Sequence, residues 1–135
     1  MNVVLPTRAF WCTIGGGVEA GETLELAAKR ELREETGLES IQVRWHGILW
    51  FGEHWLERDN RLVLHRETFF LAETDHENIS CKYLTDEEKK VVKALRWWTL
   101  EEVRKTSETI FPSSLKDHLG EVFSKMPLAP KEIEI

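Results

Sequence analysis

Basic side chains are in short supply in this sequence. Its 135 residues hold 18 Lys and Arg against 24 Asp and Glu, for a net charge of -6. That balance argues against a nucleic-acid polymer as partner. Cysteine is scarce too: Cys12 and Cys81 are the only two, without metal-ligand spacing, so a thiolate zinc site and a disulfide framework are both excluded. A single bridge between them stays open without support, and reduced thiols in a cytoplasmic protein are the expectation. No apolar run is long enough to span a membrane. Residues 1–10 lack the basic start and apolar core of a signal peptide.

What is present reads as one domain, residues 1–135. Hydrophobic residues make up 41 %, ordinary for a globular chain long enough to bury a core. Residues 9–14 read as a strand, 23–36 as a helix, and 41–51, rich in β-formers and aromatics, as a second strand. A polar turn at 57–60 precedes a returning strand at 62–72, followed by a polar connection over 74–86 and a short strand at 94–98. In that strand Trp97 and Trp98 would face opposite sides of a sheet. Thr99 and Glu102 form a capping box that starts a helix ending near Lys105. A last helix over 113–125 carries Leu115, Leu119, Val122 and Phe123 at helical spacing, and the tail from Pro127 reads as loose. The order suggests an α/β sandwich with a mixed sheet.

The densest information lies in residues 16–38, GGVEAGETLELAAKRELREETGL. Glu31, Glu34 and Glu35 are spaced i, i+3, i+4, so a helix puts them on one face. Carboxylates that close repel one another unless a cation sits among them, and oxygen-only ligands suit magnesium or manganese. Leu24, Ala28 and Leu32, with Ala27 beside them, form the stripe expected to be buried. Thr23 suits the N-cap and Gly37 the left-handed position past the C-terminus. Arg30 can pair with Glu34 one turn on. A run such as KRELREE is, by itself, more often a solvated surface helix. Gly15, Gly16, Gly17 and Gly21 shift the balance, because so many glycines imply close approach of backbone to a ligand.

Residues 16–38 resemble the Nudix box in full: Gly16, then Glu22, then Arg30-Glu31-Leu32, Glu34-Glu35 and Gly37-Leu38. The resemblance implies a Nudix-type α/β/α sandwich with a mixed β-sheet. It also implies a hydrolase that cleaves a nucleoside diphosphate linked to another group, using Mg2+ or Mn2+. Carried over by position, Glu31, Glu34 and Glu35 would bind the metal, with the carbonyl of Gly15 or Gly16 as a further ligand. Glu22 would be an auxiliary acid, and Arg30 would orient the glutamates. One departure is Ile14, where many relatives have proline. Relatives also carry more chain ahead of the box, so the fold is expected to be short at its N-terminus, with a sheet edge left open. A homodimer is one way to cover that edge.

Outside the box, the activating base could be Glu31, Glu87 or Glu88, although TDEEKK reads more simply as a solvated helical run. Phe51, His54 and Trp55, placed in a loop by pattern, are the substrate-contact candidates, because bases stack on aromatic faces. His65 and His54 are also candidates to meet phosphate, against the blander reading of each as a strand or loop histidine. The prolines, at 6, 112, 127 and 130, and the single tyrosine, Tyr83, do not sit where the ADP-ribose and dinucleoside-polyphosphate subclasses carry their markers. A nucleoside triphosphate or related nucleotide remains. The rival reading is a Nudix-fold nucleotide-binding module without catalysis.

Overall fold

A computed structural model describes residues 1–124 and 129–135. Two mixed sheets and four helices make up the described fold. Strands β1 (Asn2–Leu5) and β2 (Arg8–Cys12) form an antiparallel hairpin, with Asn2 opposite Trp11 and Leu5 opposite Arg8. On the far side of β1 lies β5 (Val92–Ala94), antiparallel, and on the far side of β2 lies β6 (Ile110–Phe111), parallel. The edge expected to be open beside β2 is therefore covered on both sides within the chain.

The second sheet is built on the long hairpin of β3 (Arg44–Arg58) and β4 (Arg61–Glu73), joined through Asp59 and Asn60. Both joining residues have positive φ, 51° and 58°, which Asp and Asn tolerate and a tight two-residue hairpin requires. The second strand thus differs from the expected 41–51. Residues Ser40–Gln42 make a 3-10 turn, and the strand runs on through Glu57 and Arg58. Beyond Gly52, which is buried against Ile133 and Ile135, the strand is mostly exposed and is held chiefly by its pairing with β4.

Strand β7 (Lys131–Glu132) lies parallel to β3, and Ile133 is buried with Leu49 and Trp50 in the main core. The tail is therefore not loose there; Pro127 itself falls outside the described residues. Helix α4 (Leu115–Ser124) presents Leu115, Leu119 and Val122 to this core, where Phe69 and Leu71 of β4 also pack. Phe123, expected on the same stripe, points to solvent. Residue 125, the expected end of this helix, is likewise outside the described residues.

Helices α2 (Asp86–Val91) and α3 (Leu100–Lys105) both start from a threonine capping box, Thr85 with Glu88 and Thr99 with Glu102. The short strand before α3 ends at Ala94, so Trp97 and Trp98 lie beyond it rather than alternating across a sheet. Trp98 meets Trp11 edge-on at 5.0 Å between ring centres, while the Trp97 Nε1–H donates to the Glu77 carbonyl at 2.8 Å. Cys12 and Cys81 are both free thiols. Among the described residues no helix is long and apolar enough to cross a membrane.

Candidate functional site: an inward-facing acidic helix beneath a glycine loop

The chain from β2 passes through the glycines and enters α1 (Leu24–Thr36). The Thr23 side chain caps the start by accepting from Leu26 N–H at 3.2 Å. Gly37, with φ 73°, ends the helix in the left-handed conformation, its N–H donating to the Arg33 carbonyl at 2.8 Å. These two caps set where the helix begins and ends.

The inward face is the expected one in part: Ala27 and Leu32 are buried and Ala28 is half-buried, but two glutamates share it. Leu24 and Leu26 are exposed, and the buried stripe is Ala27, Glu31 and Glu35 at i, i+4, i+8, flanked by Leu32 and Thr36. Only 7 % of Glu31 and 3 % of Glu35 is exposed. The solvated reading of KRELREE describes its other side, where Lys29 pairs with Glu25 and Arg33 with Glu39. Two carboxylates on a buried stripe cost stability unless something compensates their charge.

Arg30 supplies part of that compensation. Its Nε–H donates to Glu22 at 2.8 Å. One terminal nitrogen donates to Glu31 at 2.7 Å and Glu34 at 3.0 Å, the other to the Gly17 carbonyl at 2.8 Å and again to Glu22 at 3.1 Å. All five guanidinium N–H groups are thereby used, a geometry that lysine cannot copy. Pairing with Glu22, then Glu31 and Glu34, holds the Arg30 pKa far above its ordinary value. Arg30 in turn holds Glu22 below the usual carboxylate range.

Glu35 has no such partner. Its Oε2 accepts the Gly15 N–H at 2.6 Å. Burial nevertheless pushes its carboxyl up to about 7, with the charges of Glu31 and Glu88 adding to the rise. The glycine loop also closes over Glu31. A Cβ on Gly16 would overlap the Glu31 carboxylate, its carbon only 2.7 Å away, so side chain and backbone can share this space only at a glycine. The donor set fits a hard divalent cation: Glu22, Glu31 and Glu34 gather around a single guanidinium, and Glu35 stands apart on the Gly15 N–H, all four offering oxygen.

The structure thus brings together Gly15, Gly16, Glu22, Arg30, Glu31, Glu34 and Glu35. Phe51, His54 and Trp55 are a different matter. They lie on strand β3, not in a loop, and strand alternation puts Phe51 and Trp55 on one face and His54 on the other. Phe51 and Trp55 are exposed, and His54 is half-buried. Of the acidic pair on α2, Glu87 pairs with Lys90 in solvent. Glu88 caps its helix through Thr85, close enough for its charge to act on Glu35. Two contributors escaped sequence reasoning, the Gly15 amide and the Gly17 carbonyl. Backbone groups leave no signature in residue type beyond the glycines themselves.

Residues 2–119 match the family model of the NUDIX domain. No curated protein matches the chain. A match across so much of the sequence places the chain in the Nudix family, whose members are in general hydrolases of acid anhydrides that use divalent metals.

Proposed function

We propose that this chain is a metal-dependent pyrophosphohydrolase that cleaves a nucleoside diphosphate linked to another group, a nucleoside triphosphate or related nucleotide, by attack of water on phosphorus. The observation that carries this reading is the burial of Glu31 and Glu35 with too little positive charge around them. Glu31, Glu34 and Glu35 would hold Mg2+ or Mn2+, with the carbonyl of Gly15 or Gly16 as a further oxygen ligand. Once bound, the cation lowers the pKa of a water and neutralises phosphate oxygens.

The protein's own groups do the rest. Arg30 fixes Glu31 and Glu34 relative to each other, and Glu22 anchors Arg30 from the loop side. The Gly15 N–H orients Glu35, whose carboxyl would have to release its proton to hold the cation. Glu88 is a better candidate than Glu87 for the base that takes the water's proton. It lies close enough to Glu35 for its charge to act there, whereas Glu87 pairs with Lys90 in solvent. Exposed Phe51 and Trp55 offer ring faces on which a base could stack.

An incomplete sheet would favour the binding-module reading, but β1 and β6 occupy both places beside β2. The same pairing removes the reason for a homodimer; gel filtration decides the oligomeric state. A cytoplasmic setting with reduced thiols remains the reading of location.

The test is a panel of nucleoside triphosphates, nucleotide sugars, ADP-ribose and dinucleoside polyphosphates, scored for product with and without Mg2+. Turnover should require the metal and fall on the order of a thousand-fold in Glu34→Gln or Glu35→Gln, since each loses a charged ligand worth several kcal/mol. Full activity in both variants would refute the metal assignment. Nucleotide-induced thermal stabilisation without product on any substrate would favour the binding module.

A further inference from the structure

We propose a second metal site, remote in sequence from the acidic helix, formed by His54, His65 and Glu67 on the β3–β4 hairpin and suited to a zinc-type divalent cation. His54 and His65 sit directly opposite each other in the antiparallel register, with ring centres 5.2 Å apart. Glu67 lies two residues along β4 from His65, so its side chain leaves the sheet on the same face. The three residues offer ligand atoms that all lie within 4.8 Å of one another.

The distances are those of a site rather than of hydrogen bonds. The Nδ1 atoms of His54 and His65 are 4.0 Å and 3.9 Å from the same oxygen, Glu67 Oε1. Both are too long for a hydrogen bond. A tetrahedral ion with bonds near 2 Å would hold such atoms roughly 3.3 Å apart, so these two spans need to close by about 0.6 to 0.7 Å, and the span between the histidines, within 4.8 Å, by at most about 1.5 Å. Side-chain rotations must supply that.

A cross-strand histidine pair beside a glutamate is often no more than surface decoration. Here, however, the Nδ1 of His54 is buried and has no hydrogen-bond partner among the described residues. A buried polar atom left unpaired costs free energy, and a cation would satisfy it. The cluster is also walled at one end. Glu67 faces Gly52, and the space above Gly52 is filled by the Ile135 side chain, 2.5 Å from where a Cβ would stand.

Donor chemistry selects the ion. Two imidazoles and one carboxylate suit zinc and its first-row neighbours, and leave a coordination position open; magnesium prefers oxygen alone. The site shares no residue with Glu31, Glu34 and Glu35, so the two can be loaded separately. A bound ion would tie β3 to β4 at the level where the hairpin leaves the core.

Titration calorimetry with Zn2+ alone, in excess Mg2+ to occupy the acidic helix, tests the site. The wild-type chain should take up one Zn2+, and His54→Ala, His65→Ala and Glu67→Gln should each bind it at least roughly tenfold more weakly, since even loss of an outer-shell partner costs that much. The Glu34→Gln, Glu35→Gln double variant should keep this uptake. Zinc should raise the melting temperature of the wild type and not of His65→Ala. Because His65 is half exposed, that variant should melt like the wild type without zinc, separating loss of the site from loss of folding. Equal zinc affinity in wild type and all three variants would overturn the proposal. So would zinc uptake that disappears with Glu34 and Glu35 instead. Nucleotide affinity lost in His65→Ala with zinc uptake intact would also overturn it, by making the pair a phosphate contact.

Discussion

Helix α1 and the outer half of the β3–β4 hairpin handle charge in opposite ways. On α1, Glu31 and Glu35 turn inward beneath the glycine loop while the leucines near its start face solvent. On the hairpin, ionic pairs such as Arg66–Glu53 stand in water, beside Trp55 and Leu62 that are 64 % and 73 % exposed. An exposed pair of that kind contributes ~0–1 kcal/mol, whereas breaking a buried one costs several. The helix therefore stores electrostatic strain that a ligand can relieve, and the hairpin tip stores almost none. A region whose residues break the inside–outside rule against their own stability is where function is to be sought.

Removing Arg30 should break this contrast most severely. Arg30→Ala leaves Glu22, Glu31 and Glu34 without their shared cation. Hydrolysis should fall on the order of a thousand-fold and the metal-free chain should lose ~3 kcal/mol of stability. Arg30→Lys keeps the charge and loses the fork, so a ten- to hundred-fold loss is expected, at roughly the level of an outer-shell partner. Steady-state rates and urea melts of both variants check this. A lysine variant as active as the wild type would mean that charge alone, not geometry, holds the cluster.

Acidity probes the same strain without mutation. Glu35 has an ordinary pKa of 4.5 when exposed and about 7 in the metal-free fold. A raised pKa means that the folded state holds the proton more tightly. The contribution is complete below about 4.5 and disappears as pH rises through about 7; a shift of that size corresponds to ~3 kcal/mol. Metal-free stability, measured by denaturant melts from pH 5 to pH 8, should therefore contain a falling component that Glu35→Gln abolishes. Added Mg2+ should flatten it, since the cation takes the proton's place.

A smaller effect is expected in the loop. Gly16→Ala puts a methyl group into the Glu31 carboxylate and should reduce turnover roughly tenfold, by a displacement of well under an ångström. Gly17→Ala meets nothing within 4 Å and keeps its carbonyl for Arg30, so it should lose less. Equal losses in the two would locate the glycine requirement in backbone freedom rather than in close contact.

Local signals were legible where the chain's own chemistry decides the outcome. Thr23 and Gly37 bound α1, and Thr99 with Glu102 starts α3, because a cap is a short-range hydrogen bond between residues adjacent in sequence. The acidic spacing was legible too, and so was the Arg30–Glu34 pair. That Glu31 and Glu35 would share the buried face with Ala27 and Leu32 was not. Leu24 lies on the same side yet stays exposed, while the glycine loop covers the two glutamates, and hydrophobicity does not record a partner of that kind. Phe51, His54 and Trp55 read as loop because a strand pair that leaves the core shows no buried alternation. Ile133 read as tail because its pairing partner, Phe51, is distant in sequence.

The smallest effect expected is also the one that most sharpens the contrast. Leu62 stands opposite Glu57 next to the hairpin turn and is 73 % exposed. If the outer hairpin is held by its ladder and by the Asp59–Asn60 turn, Leu62→Lys removes little buried surface and leaves every backbone hydrogen bond in place. Stability should change by no more than about 0.5 kcal/mol, the range for surface substitutions away from special features, and hydrolysis should be unaffected. Thermal melts and rates measured beside Arg30→Lys put the two regions on one scale. A loss above 1 kcal/mol that depends on protein concentration would mean that the hairpin's apolar side is buried against a second copy. The exposed leucine would then be as much a working part as the buried glutamates.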